Sequence, residues 1–309
     1  MPEGASFAGG RVAPPQGTPR PMDDILPILL RLALVLFMAG SLLEMGLGLK
    51  LRDSVAGLRN ARFVGYALLF GFVLGPLLAW SLIRLLPLEA PHALGLMLLG
   101  LTPCAPFLPM MVRRAQGDMT HAPAMMLLGA VGTVILLPAA APLLVSGLSV
   151  DAWTIARPLL VLVLLPLAAG MAIFQVAPAW AGVIHPVASR VAGLAAILLL
   201  GLCAILYGPS FLALVGTFAI GAQLVFFGVI TAASYRFSIG LGPAQRSVLS
   251  LGLCTRNVGP AIAPLLADPA VDERAVVLLA SAVPVQILVA LLAARIFARR
   301  AAGPAQAPP

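Results

Sequence analysis

Charge is scarce in this sequence. Only 10% of its 309 residues are Asp, Glu, Lys or Arg, against about a quarter in a soluble domain. With 61% hydrophobic residues and a mean hydropathy of +1.05, the chain cannot cover a water-facing globule with polar side chains. Cysteine is scarce too. Cys104, Cys203 and Cys254 all fall in apolar stretches, and an odd number without ligand spacing supports neither a disulfide framework nor a metal site. The three histidines, His92, His121 and His185, lie at the ends of apolar stretches. Absent altogether are His-Glu-x-x-His, Gly-x-Ser-x-Gly and a phosphate-cradling Gly-Lys-Ser/Thr loop. Zinc-peptidase chemistry, serine hydrolysis and direct drive by ATP therefore have no basis here, and no enzyme activity is expected. The net charge of +8 is spread over short loops, so it orients a membrane protein and does not signal nucleic-acid binding.

Long apolar runs are what the chain has in abundance. A spanning helix needs about 20 apolar residues, and nine segments qualify: 25–49, 61–86, 92–113, 122–148, 155–176, 183–207, 211–235, 244–266 and 274–298. The predicted fold class is an all-α membrane protein of nine spans in a lipid bilayer. Residues 1–24 are expected to form a disordered extracytoplasmic tail and 299–309 a cytoplasmic tail. Twelve of the 19 basic residues cluster at alternate loops and span ends: Lys50, Arg52, Arg59, Arg62, Arg113, Arg114, Arg190, Arg236, Arg246, Arg295, Arg299 and Arg300. The opposite loops hold Glu89, Asp151, Asp268, Asp272 and Glu273. The positive-inside rule then puts the C-terminus in the cytoplasm and the N-terminus outside.

Two spans break in corresponding places. One reads Leu99-Gly-Leu-Thr-Pro-Cys-Ala-Pro-Phe-Leu-Pro109 and the other Leu251-Gly-Leu-Cys-Thr-Arg-Asn-Val-Gly-Pro260. Paired interruptions by Gly and Pro in the two halves of a polytopic chain point to an inverted-repeat transporter and to its binding site. Span 3 then pairs with span 8 and span 4 with span 9; spans 1 and 2 pair with 6 and 7, and span 5 has no partner. Pro103, Pro106 and Pro109 each lack an N–H and clash with the preceding turn. Pro260 does the same to span 8, where it cannot bond the carbonyl of Arg256, and Gly259 further softens the turn. Backbone groups freed in this way survive at membrane depth only inside protein or beside a cavity. Thr102, Cys104, Cys254, Thr255, Arg256 and Asn257 are the candidate substrate-binding residues on the breaks. The planar guanidinium of Arg256 beside the Asn257 amide suits a carboxylate or similar anion. A bundle-locking ion pair is the structural alternative. Glu44, six residues before Lys50, is the other charge within a span. It serves as an interface carboxylate, a partner of Arg256 or a proton-titrating group.

Several runs together resemble the bile acid:sodium symporter family. Leu99 to Asp118 is similar to its first broken helix and following Gly-Asp loop, with Pro103, Gly117 and Asp118 in register. Met45-Gly-Leu-Gly-Leu-Lys-Leu51 resembles the end of an early helix, and Thr255-Arg-Asn257 the Gln-Arg-Asn of some bacterial members. The resemblance covers residues 25–298. It implies a panel domain of spans 1, 5 and 6 on a core domain of spans 2, 3, 4, 7, 8 and 9, with the broken helices crossing in the core. It also implies a small or amphipathic organic anion as substrate, and the inner (plasma) membrane of a bacterium as the location. The sequence departs at the sodium ligands. The family's Ser and Asn fall on Leu108 and Pro109, its Glu and Gln on Gly252 and Arg256, and Leu127, Leu128 and Gly129 stand near its hydroxyl ligands. No cofactor is expected. Na⁺ lacks its ligand side chains, and H⁺ is the alternative coupling ion. The functional alternatives are a proton-coupled or uncoupled exporter and a non-transporting membrane ligand sensor.

Overall fold

The computed structural model describes residues 21–144, 151–214, 216–267 and 272–301. All regular structure among them is helical: α1 (Pro21–Gly48), α2 (Leu51–Leu58), α3 (Ala61–Leu85), α4 (Ala90–Gly100), α5 (Leu108–Arg114), α6 (Ala122–Leu144), α7 (Ala152–Val176), α8 (Pro178–Leu214), α9 (Ala219–Phe237), α10 (Pro243–Cys254), α11 (Val258–Ala267) and α12 (Arg274–Ala301). Seven of these are long and apolar enough to cross a membrane: α1, α3, α6, α7, α8, α9 and α12. The chain is an integral membrane protein. The two segments expected to break are each divided, into α4 with α5 and α10 with α11. α1 starts at Pro21, inside the expected tail, and α12 continues to Ala301. Residues 1–20, 145–150 and 302–309, and with them most of both expected tails and the end of span 4, lie outside the described residues.

Proline sets the local departures from α-helix. In α3 the stretch Leu69–Leu74 widens to a π-helix, and Gly75 N–H bonds the Phe70 carbonyl five residues back. In α7 the stretch Leu160–Leu164 does the same, Leu165 N–H reaching Leu160. In both helices a proline follows at once, Pro76 and Pro166. Neither can donate to a carbonyl one turn back, and a wider turn relieves the clash of its ring. Ahead of Pro209, α8 kinks at Tyr207, which sits at φ −119°, ψ 21° between two helical stretches; the sequence reading ends span 6 at this residue, and the second stretch runs only to Leu214. The next helix begins at Ala219, after a turn through Gly216 at φ +107°, a backbone region that glycine enters without a Cβ penalty.

α1 packs along α8 and along the second half of α7. The α1–α7 crossing is a backbone-to-backbone contact at Gly46 and Gly170. A Cβ on Gly46 would lie 2.3 Å from the Leu167 carbonyl oxygen, and one on Gly170 2.5 Å from that of Leu43. Small residues permit such approach where apolar burial does not by itself drive helices together. At one end of the bundle Arg274, heading α12, pairs with Glu89 before α4 and with Asp272. Its hydrogen bonds hold the Asp272 carboxyl below the usual carboxylate range. At the other end Asp118 N–H donates to Ala244 O at 3.2 Å, tying the loop after α5 to the start of α10. There the Asp118 carboxylate meets His121 Nδ1 at 2.8 Å.

Candidate functional site

The two breaks meet. Pro103 and Arg256 form an isolated antiparallel bridge. Cys104 N–H and Ala105 N–H both donate to Thr255 O, at 2.7 and 3.2 Å, and Asn257 N–H donates to Thr102 O at 2.8 Å. Each unwound stretch thus satisfies backbone groups that the other has freed, as a low-dielectric interior demands. Cys104 holds φ +73°, an uncommon conformation for a residue with a Cβ, and the crossing holds it there. Across from it, a Cβ on Gly129 of α6 would lie 2.6 Å from Cys104 Cβ and 2.7 Å from Pro103 O.

A cavity of about 330 Å³ opens beside this crossing. α1 contributes Phe37, Ser41 and Glu44, and α8 contributes Ser189, Gly193 and Ala196. Ala105, Pro106 and Phe107 come from the first break, Arg256 and Asn257 from the second, and Gln286 and Ile287 from α12. An apolar wall with a few convergent polar groups is the usual make-up of a small-molecule site. The structure therefore brings three of the seven expected binding residues, Glu44, Arg256 and Asn257, to one cavity. Thr102, Cys104, Cys254 and Thr255 are buried behind it, and Thr102 and Thr255 return their hydroxyls to carbonyls of their own helices. Of the expected break-forming residues, Pro103 sits in the bridge and Pro106 in the unwound stretch. Pro109, Gly259 and Pro260 fall in the first turns of α5 and α11, where a missing N–H costs nothing. They start the second half-helices and do not unwind the first.

Arg256 is wholly buried. Its Nη1 donates to Gly100 O at 3.0 Å, and its guanidinium carbon lies 5.0 Å from the centre of the Phe226 ring. Its backbone N–H donates to Oε1 of Gln286. Nε and Nη2 have no hydrogen-bond partner among the described residues. Gly75 makes room for the group, since a Cβ there would be 3.0 Å from Nη2. Neither α4 nor α9, which hold the guanidinium, lines the cavity. Among the described residues no carboxylate pairs with it, so the ion pair with Glu44 weighed from sequence is not formed. Gln286 and Phe226 are neighbours of Arg256 that the sequence reading did not single out. A lone glutamine in the middle of an apolar span was the available signal for the first; an apolar residue such as Phe226 carried none.

Two of the positions onto which the resemblance carries sodium ligands, Leu108 and Gly252, are packed with carbon. Leu108 is fully buried, and a Cβ on Gly252 would lie 2.5 Å from Met125 Cγ, so Met125 fills the space an acidic side chain would need. Among the described residues no three His, Cys, Asp or Glu side chains gather as a cation site.

The family model described as "Sodium Bile acid symporter family" matches residues 32–217, which span α1 to the end of α8 and include the first break but not the second. No curated protein matches the chain. Members of the matched family are transporters and not enzymes. Three-fifths of the sequence lies within that match, it contains the cavity walls of α1 and α8 and the first of the crossing breaks, and the chain belongs to the sodium bile acid symporter family.

Proposed function

We propose that the chain is a secondary transporter of a small or amphipathic organic anion, carried by alternating access through the cavity beside the crossed breaks. One observation carries the reading: both interruptions converge on a cavity whose far wall is made by α1 and α8. The start of α11 lies at that cavity through Asn257 and Val258, and a helix N-terminus favours negative charge. Behind it sits the Arg256 guanidinium without a carboxylate partner, and charge acts over longer range where water is excluded. The Asn257 and Gln286 amides supply directional hydrogen bonds. Phe37, Phe107, Ile262 and Ile287 supply a surface for the apolar part of the substrate. In this reading α1, α7 and α8 are the panel, the remaining helices are the core, and the two halves form an inverted repeat of nine spans.

Sodium coupling is not expected, because Leu108, Pro109, Gly252 and Arg256 stand where side-chain oxygens are required. Proteoliposome uptake of labelled organic carboxylates, a bile acid first, tests both points with Na⁺ and pH gradients imposed separately. Uptake should persist when K⁺ or choline replaces Na⁺. A loss greater than about tenfold, roughly 1.4 kcal/mol of coupling, would show that the backbone carbonyls at the crossing hold the ion unaided. Proton coupling is the second reading. It is favoured by Glu44, which lines the cavity with no cation paired to it among the described residues. A proton-driven carrier would lose its response to a pH gradient in Glu44→Gln.

The proposed orientation, with the Arg113–Asp118 end cytoplasmic, has its own check. Single cysteines at Gly117 and Asp272 should react with an impermeant reagent from opposite faces of the membrane. Labelling of both from one face would refute the topology.

A further inference from the structure

A second, larger cavity of about 620 Å³ lies on the other side of the core, between α9 and α12. Its lower walls are Gly228, Thr231 and Ala232 of α9 and Val289, Leu292 and Ile296 of α12. Leu292 and Ile296 are each 49% exposed, so in a membrane this groove opens to lipid. At its upper rim stand three arginines, Arg236 from the end of α9, Arg246 from the start of α10 and Arg300 from the end of α12. Between the two zones Tyr235 stacks on Phe297, ring centres 4.2 Å apart, and the Arg300 guanidinium lies 5.5 Å from the Tyr235 ring. Arg246 is held in place by its Nε, which donates to Leu241 O at 2.9 Å.

The sequence has no Asp or Glu between Asp151 and Asp268, and none after Glu273. Among the described residues the three arginines take part in no ion pair. The layout of the groove runs from apolar, through an aromatic pair, to a ring of guanidinium groups. That order matches the order of groups along a phospholipid, from acyl chain through glycerol to phosphate. Basic pockets between spanning helices bind anionic head groups, and Arg is suited to phosphate oxygens because it donates two parallel hydrogen bonds.

We propose that the α9–α12 groove is a binding site for one anionic phospholipid, its phosphate held by Arg236, Arg246 and Arg300 and one acyl chain lying along Leu292 and Ile296. The site is separate from the transport cavity and touches the core through α10 and α12, the helices that carry Cys254 at the second break and Gln286 beside it. Bound lipid would therefore steady the elements that hold the crossing.

The test uses the purified full chain in a neutral detergent, titrated with short-chain phosphatidylglycerol, short-chain phosphatidylcholine, glycerol 3-phosphate or inorganic phosphate. Melting temperature and native mass spectrometry are the readouts. Phosphatidylglycerol alone should raise the melting temperature and remain bound in the gas phase. Arg246→Gln with Arg300→Gln should weaken its apparent affinity by about tenfold or more. Arg190→Gln, which removes the same charge from α8, should leave the affinity unchanged. Arg300→Gln alone, on an exposed side chain, gives a folded variant with a smaller loss should the double variant fail to purify. An equal response to phosphatidylcholine would overturn the proposal. So would a phosphatidylglycerol response untouched by the arginine variants. A full response to glycerol 3-phosphate or inorganic phosphate would replace the lipid site by a simple anion site.

Discussion

Replacing Arg256 by Met should leave the protein folded and end transport. The wild-type side chain is buried without a counter-ion. It makes one hydrogen bond, to Gly100 O, and lies over Phe226. Met has similar length and no charge. Losing the bond strands the Gly100 carbonyl at about 1–3 kcal/mol. Against that stands the burial cost of an ion, which apolar replacements of buried charges commonly recover. The two terms offset, so the melting temperature of Arg256→Met should stay close to that of the wild type. Uptake should fall by much more than tenfold, because the positive charge behind Asn257 is gone. Arg256→Lys keeps the positive charge behind Asn257 and should retain more uptake than Arg256→Met. A structural lock predicts the reverse pattern: Arg256→Met would melt early, and whatever protein survived would transport normally. Glu44→Ala should not rescue any Arg256 variant, because the two side chains are not paired.

The largest loss of stability should come from the α1–α7 crossing. Gly46→Ala and Gly170→Ala each place a Cβ within 2.5 Å of a backbone oxygen on the facing helix. Backbone cannot swing aside as a side chain can, so the helices must part along their whole contact. Each substitution should cost about 3 kcal/mol or more, the upper range of overpacking. That corresponds to a fall of roughly 5 °C or more in melting temperature for a chain of this size. Gly182→Ala is the control, with nothing within 4 Å of the added Cβ; its effect should stay within about 0.5 kcal/mol. Equal melting of the three variants would show that α1 and α7 do not meet at these glycines.

Much of the helical layout was legible because spans are set by hydropathy and breaks by proline. The interruptions at Pro103–Pro106 and at Thr255–Asn257 stand where the sequence places them. Their pairing was not legible. The bridge joins residues 103 and 256 through backbone atoms, and backbone hydrogen bonds leave no trace in residue type. The π-stretches before Pro76 and Pro166 escaped for the same reason: composition records the proline but not the hydrogen-bond register that accommodates it. The end of span 6 at 207 coincides with the kink at Tyr207 ahead of Pro209, whereas span 7, read from 211, begins at Ala219, because the short stretch after the kink is apolar and reads as part of the next span. Arg256 was recognisable as costly and central. That its guanidinium turns to Gly100 and Phe226 depends on Gly75, a vacancy in side-chain volume contributed by a different helix.

The central claim is that the cavity between α1, α8 and the crossed breaks is the substrate's route. Gly193 lines that cavity, and a Cβ there meets nothing within 4 Å. Gly193→Phe therefore adds a ring at the cavity wall from a Cβ that itself has open space. Gly201→Phe puts the same ring on α8 outside the cavity, again with nothing within 4 Å of its Cβ. The decisive measurement is uptake of a labelled organic carboxylate by proteoliposomes of the two variants, with melting temperatures taken in parallel. Gly193→Phe should abolish uptake while melting as the wild type does, and Gly201→Phe should transport normally. Full uptake by Gly193→Phe would contradict the account.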